Sequence, residues 1–123
     1  MILADSDIII EVLCRRDDSV LSRWSEVVTS EAEIVCSPIT QAEVWHGARP
    51  SEHVAIFEFF ETVACVPISG EIGRTAGDLL RRYAKSHGLG LGDALIAATT
   101  LRSGAALWTR NRKHYPMPEL SFF

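Results

Sequence analysis

Three acidic residues stand where predicted strands end or predicted helices begin, and their spacing could support chemistry. Asp5 directly follows the apolar run Ile2–Ala4. Glu43 lies six residues after Ser37, which closes a second apolar run, and Asp93 begins an alanine-rich segment. If these carboxylates converge to ~5 Å, each pair repels by about 3 kcal/mol at an effective dielectric of 20. Oxygen-only ligands select hard cations such as Mg²⁺, which support phosphodiester hydrolysis by an activated water.

Each acid taken singly also has a structural explanation. An Asp at a helix start is common, because the helix dipole and the free N–H groups favour it there. Asp7 fits the role of cap better than Asp5, and Asp93 would satisfy the dipole of its own helix. The segment from Thr40 to Glu43 matches the capping box S/T-x-x-E. Spacing alone therefore leaves both explanations open.

Apolar periodicity predicts the elements that would bring these acids together. Strands are predicted over residues 2–4, 34–36, 63–68 and 105–108, with a short one near 120–122. Helices are predicted over residues 8–14, 20–28, 54–60, 72–83 and 93–102, and Gly104 ends the last of these. Another helix is predicted from residue 37 onward, with Ser37 as its cap and Pro38 at its first position. Short apolar strands separated by helices are typical of a parallel sheet covered on both faces. The predicted fold class is α/β: a three-layer α/β/α sandwich with a central, mainly parallel, four- to five-stranded sheet, whose site lies at the carboxyl ends of the strands.

Length, charge and cysteine usage narrow the class of protein. The 123 residues predict a single domain over residues 1–123, and no apolar run approaches the ~20 residues of a membrane span. Three widely spaced cysteines and the absence of a leader-like start predict a cytoplasmic protein with reduced thiols. The net charge of -4 argues against a polyanionic partner, but basic residues follow the last strand. The predicted RNA phosphate contacts are Arg110, Arg112 and Lys113.

Four segments in order along the chain resemble the motifs of PIN-domain proteins. Residues 2–7 (ILADSD) are similar to the first-strand motif, and residues 39–47 (ITQAEVWHG) to the second, a Glu with a Gly four residues later. Residues 92–99 (GDALIAAT) are similar to the third motif, and residues 107–115 (LWTRNRKHY) to the fourth. At this chain length the resemblance is to VapC-type toxins of bacterial toxin–antitoxin pairs.

The resemblance implies a Mg²⁺- or Mn²⁺-dependent endoribonuclease that forms a homodimer and is silenced by a small VapB-like antitoxin. Carried over by position, Asp5 and Asp93 are metal ligands and Glu43 is the third acid of the cluster. Asn111 stands at the catalytic position where many members carry a fourth acid, which implies a single metal ion in the resting site. Hydroxyl groups that would orient a carboxylate or a metal-bound water are those of Ser6 and Thr109.

Two other functions are compatible with these residues. Asp5-Ser6-Asp7 also resembles the D-x-D motif of aspartyl-phosphate phosphatases, in which the first Asp is the nucleophile. That scheme has no use for Glu43, and no lysine clearly follows a late strand to hold the phosphoryl group. The other alternative is a non-catalytic PIN-like module that binds RNA or a partner protein. Asn111 favours this module, whereas the three intact acids count against it.

Overall fold

A four-stranded parallel sheet organises the chain, and the computed structural model describes all of residues 1–123. The strand order is β3-β2-β1-β4, with every neighbouring pair parallel. The strands are β1 (Ile2–Ala4), β2 (Ile34–Cys36), β3 (Ala64–Cys65) and β4 (Ala106–Trp108). The helices are α1 (Ser6–Cys14), α2 (Asp18–Thr29), α3 (Pro38–His46), α4 (His53–Thr62), α5 (Gly70–His87) and α6 (Leu91–Ser103), with short 3₁₀ turns at Pro50–Glu52 and Arg112–His114.

Alternation along the central strand β1 divides the core into two layers. Because successive strand side chains point to opposite faces, Leu3 packs with α5 and α6, whereas Ile2 and Ala4 pack with the helices on the other face. Val44 of α3 and Ile56 of α4 belong to that second layer. Helices thus cover both faces of the sheet, which confirms the predicted three-layer α/β/α fold.

The strands at the edges of the sheet are shorter than the apolar runs predict. Strand β3 comprises two residues of the predicted 63–68, and it lies at the sheet edge as Pro67 indicates. The Val66 N–H still donates to the Cys36 carbonyl (2.8 Å), but the next residue is Pro67, which has no N–H to continue the ladder. The predicted strand near 120–122 reduces to one bridge between Leu107 and Phe122.

Helix boundaries follow the predicted signals at two positions and depart from them at a third. Ser37 caps α3 by accepting a hydrogen bond from the Ile39 N–H (3.1 Å), and Pro38 is the first helical residue. Gly104 ends α6 with a left-handed φ of 71°. Thr40 is buried inside α3 and caps nothing, so the capping-box explanation for Glu43 is wrong. None of the helices combines the length and the apolar character that crossing a membrane requires.

The cysteines are not as separated in space as they are in the chain. Cys36 and Cys65 are register partners across β2 and β3. Burial raises the pKa of the Cys36 thiol to about 12, and the neighbouring Cys65 adds to the rise. All three cysteines are free thiols.

Candidate active site

Asp5 lies at the carboxyl end of β1 and caps α1. Its Oδ1 accepts a hydrogen bond from the Ser6 N–H (2.8 Å). Its Oδ2 accepts from the Thr109 hydroxyl (3.0 Å) and from the Tyr115 hydroxyl (2.8 Å). Because the residue is only 8% exposed, little water competes for its oxygens, and the three donors fix the orientation of the carboxylate. The expectation that Asp7 is the cap is wrong, because the sharp exit from β1 places Asp5 one residue before the helix.

Asp7 instead ties α1 to the segment that follows β4. Its Oδ2 accepts hydrogen bonds from the Arg110 N–H (2.8 Å) and from the Asn111 side-chain amide (3.2 Å). Burial raises the pKa of Asp7, the Arg110 hydrogen bond opposes the rise, and the charge of Asp5 adds to it. The hydrogen bond of the Asn111 side chain is therefore made to Asp7, not to the predicted acid cluster.

The hydroxyl of Tyr115 lies between the side chains of Asp93 and Asp5, and the sequence patterns did not single out this tyrosine. The Tyr115 hydroxyl oxygen lies 2.8 Å from Asp5 Oδ2 and 3.3 Å from Asp93 Oδ1, so these carboxylate oxygens are at most about 6 Å apart. Burial raises the pKa of Asp93, and the charge of Asp5 adds to the rise. His114 Nδ1 stands 3.8 Å from the other Asp93 oxygen. Asp5 and Asp93 thus form a carboxylate pair at the carboxyl edge of the sheet.

Glu43 lies farther out, on the second turn of α3. Its residue is exposed overall, yet partial burial of its carboxyl raises the pKa, and the charges of Asp5 and Asp93 add to the rise. The nearby Ser6 side chain opposes this rise in the pKa of Glu43. No group of three or more His, Cys, Asp or Glu side chains is close enough to hold one metal ion. The structure therefore brings two of the three predicted acids together and leaves Glu43 within electrostatic range.

The basic residues after β4 differ in what they contact. Arg110 is paired with Glu11 (3.0 Å) and Asp17 (3.3 Å), so its charge is already neutralised on the α1–α2 side. Arg112 donates to the backbone carbonyl of the last residue (3.0 Å). Lys113 is exposed and takes part in none of the salt bridges. Of the three predicted phosphate contacts, only Arg110 is paired with acids, so Arg112 and Lys113 keep an unpaired positive charge.

The raised pKa of Asp93 predicts a pH dependence of stability in the protein without added metal. A carboxyl whose pKa is higher in the folded than in the unfolded chain is protonated first in the folded state, so its ionisation destabilises the fold. Its contribution to stability is therefore expected to decline as the pH rises from 3.8, the ordinary pKa of an Asp carboxyl, through the raised pKa of the folded state. Denaturant unfolding of the wild type and of Asp93→Asn, compared between about pH 4 and 7 in the presence of chelator, measures this decline. A difference between them that is constant with pH would contradict the assignment.

Comparison with known proteins identifies the family. A family model described as PIN domain matches residues 2–120 of the chain. The chain belongs to the PIN-domain family. Ribonuclease VapC10 of Mycobacterium tuberculosis is 36% identical over 124 residues, which cover 97% of this chain and 89% of that protein. Ribonuclease VapC19 of the same organism is 36% identical over 122 residues, covering 98% of this chain and 97% of that protein.

Solved structures share this fold along the whole chain. VapBC-1 from nontypeable Haemophilus influenzae gives a TM-score of 0.80 at 27% identity, covering 100% of this chain and 97% of that one. VapBC2 from Rickettsia felis, solved with a DNA fragment from its promoter, gives a TM-score of 0.81 at 23% identity, with 100% and 98% covered. The predicted PIN-like fold and the predicted family are both confirmed.

Proposed function

We propose that this PIN-domain chain is a metal-dependent endoribonuclease and the toxin component of a toxin–antitoxin pair, with residues 1–123 as its single domain. The observation that carries the proposal is the Asp5–Asp93 carboxylate pair. Both carboxylates contact the hydroxyl of Tyr115, and neither forms a salt bridge with a Lys or Arg. Two acids so close, in a site whose burial raises the pKa of Asp93, call for a cation. The names of the two mycobacterial relatives support ribonuclease activity.

The donor set at this edge suits Mg²⁺ or Mn²⁺. Mg²⁺ in proteins is commonly bound by one or two carboxylates and keeps several waters, so it does not require three protein acids at one point. We propose Asp5 and Asp93 as the ligands, with Glu43 as the third acid near them. When bound, such a cation supplies an activated water and neutralises charge on the phosphate under attack.

The surrounding residues orient these acids and attract the substrate. The Thr109 hydroxyl and the Ser6 N–H hold Asp5 from two sides, and the Ser6 side chain approaches Glu43. Asn111 remains bound to Asp7, so we propose that it steadies the loop after β4 and leaves the resting site with one metal ion. Lys113 would contact RNA phosphates with modest affinity and strong dependence on salt.

Metal binding is expected to stabilise the folded protein. Titration with Mn²⁺ should raise the thermal unfolding midpoint, because a ligand that binds only the native state adds about 2.7 kcal/mol of stability at a hundredfold excess over Kd. The same titration of Asp93→Asn, which removes one proposed ligand, should give a much smaller shift. Absence of any shift in the wild type at millimolar metal would favour the non-catalytic module instead.

Cleavage itself tests the proposed reaction. Structured RNAs incubated with the purified protein should be cut internally in the presence of Mg²⁺ or Mn²⁺ and left intact after chelation. Restoring the metal should restore cleavage, which separates metal dependence from irreversible damage to the protein. Cleavage that continues in chelator would overturn the metal-dependent mechanism.

An exposed apolar surface on α4 supports the proposed protein partners. Val54 is 71% exposed and Phe57 62% exposed, and both lie beside Trp45 of α3. Exposed apolar patches of this kind mark protein–protein contact surfaces. We propose a small VapB-like antitoxin as one partner and a second copy of the chain as another, in the cytoplasm. Light scattering of the purified protein should report a dimer, and a strictly monomeric mass at all concentrations would exclude it.

The contacts of Asp5 count against the aspartyl-phosphate alternative. An aspartyl-phosphate site needs a cationic side chain to hold the phosphoryl group, and neither Asp5 nor Asp93 has a Lys or Arg in salt-bridge contact. The second Asp of that motif, Asp7, already accepts hydrogen bonds from the loop after β4. A stable beryllofluoride or phosphate adduct at Asp5 would nevertheless decide in favour of that alternative.

A further inference from the structure

The Tyr115 hydroxyl occupies the gap between the two carboxylates of the proposed site. Tyr115 follows the 3₁₀ turn Arg112–His114 and is only 3% exposed, with its ring in the core layer of α5 and α6. Its oxygen lies 2.8 Å from Asp5 Oδ2 and 3.3 Å from Asp93 Oδ1. The loop after β4 therefore contacts both acids through one atom.

Packing explains the aromatic ring but not its hydroxyl. A phenylalanine would fill the same space among Leu120, Met117 and their neighbours, and it would bury no polar atom. A buried hydroxyl without a partner costs free energy, and at this position both of its contacts are carboxylates. The hydroxyl therefore contributes to the fold only through Asp5 and Asp93.

One hydroxyl has a single proton, so the two contacts are unequal. The shorter contact places the donor bond on Asp5, and a hydrogen bond to an ionised group is about twice as strong as a neutral one. Asp93 Oδ1, at 3.3 Å, accepts the weaker branch of the same O–H group, and the first turn of α6 carries its backbone. Tyr115 thus connects the two carboxylates, while the Thr109 hydroxyl binds Asp5 from another direction.

We propose that Tyr115 is a positioning residue for divalent metal binding, which orients the Asp5 and Asp93 carboxylates that would hold the cation. The proposal rests on the function proposed above and adds a residue to its site. Tyr115 acts through the two carboxylates and has no contact with substrate. Residues that hydrogen-bond to metal ligands from outside typically change metal affinity by 10–100-fold when their polar group is removed.

Tyr115→Phe isolates the hydroxyl, because the ring and its packing remain. We expect its Kd for Mn²⁺, measured by calorimetry, to rise about 10–100-fold relative to wild type. Cleavage should fall at limiting Mn²⁺ and recover towards the wild-type rate at saturating Mn²⁺. Without metal, a cooperative denaturant transition shows that the variant folds, with the midpoint lowered only by the loss of the hydrogen bond to Asp5.

Tyr83→Phe is the matched control. Tyr83 is half-buried on α5, and its hydroxyl contacts Arg82 (3.0 Å), so the same deletion is made away from the carboxylates. Its Mn²⁺ affinity should equal that of wild type.

If wild type binds Mn²⁺ and Tyr115→Phe binds it equally well or more tightly, the positioning role is wrong and the proposed function stands. The role is also wrong if saturating Mn²⁺ fails to restore cleavage by Tyr115→Phe. If wild type does not bind Mn²⁺, both proposals are overturned together.

Discussion

Asp5→Asn is expected to reduce RNA cleavage by about 10³-fold or more, which corresponds to about 4 kcal/mol of lost transition-state stabilisation. The substitution keeps the shape of the side chain but replaces an anionic ligand with a neutral amide, a far weaker partner for a hard cation. Because the neighbouring Asp93 alone would then hold the metal, the Mn²⁺-dependent rise in the unfolding midpoint should also shrink.

The same variant should fold as well as the wild type without metal. Asn is as good a helix cap as Asp, so its amide oxygen retains the hydrogen bond from the Ser6 N–H. Its NH₂ group then faces the hydroxyls of Thr109 and Tyr115, which can accept where they previously donated. Repulsion from Asp93 is relieved at the same time. Metal-free stability is therefore expected to be unchanged or slightly higher.

Asp5→Ala provides the contrast for this prediction. It removes the cap, which costs about 0.5–2 kcal/mol, and it leaves two buried hydroxyls without their acceptor. Denaturant unfolding in chelator, run beside a cleavage assay, should therefore find both variants inactive but only Asp5→Ala destabilised. Marked unfolding of Asp5→Asn would instead assign Asp5 a structural role and withdraw it from the catalytic site.

The predictable part of the fold is the part with a strong local signal. Apolar runs located β1 and β2, and the Ser37-Pro38 pair marked the start of α3. The same alternation of elements placed Asp5 and Asp93 at one edge of the sheet, which the structure confirms for that pair. These features depend on residues near each other in sequence, or on the general geometry of parallel sheets.

The remaining contacts depend on distances that no local pattern encodes. Tyr115 is 110 residues from Asp5, and only the docking of the turn after β4 brings its hydroxyl there. Its one local signal was a hydroxyl-bearing aromatic residue at the end of the fourth motif. Arg110 was predicted to meet RNA, yet α1 and α2 supply Glu11 and Asp17 to neutralise it. Charge counting along the chain cannot locate such pairs.

Leu3→Ala is expected to destabilise the protein by about 2–5 kcal/mol. Leu3 is fully buried in β1, the strand flanked by both β2 and β4, so its neighbours cannot easily collapse into the space that truncation leaves. A loss of that size is a large fraction of the 5–15 kcal/mol that typically stabilises a domain. Denaturant unfolding measures it, and Val28→Ala is the control, because Val28 is 61% exposed and should change stability by less than about 0.5 kcal/mol.

The effect of Leu3→Ala on function should follow from stability alone. Leu3 brings no polar group to the proposed site, but its strand carries Asp5 two residues later. Cleavage per folded molecule should therefore stay near the wild-type value, while total activity declines with the folded fraction as temperature rises. Asp5→Asn should show the opposite pattern, with a stable fold and no cleavage at any temperature. If Leu3→Ala loses cleavage while still fully folded, β1 cannot be the rigid support that holds Asp5 towards Asp93 and Tyr115.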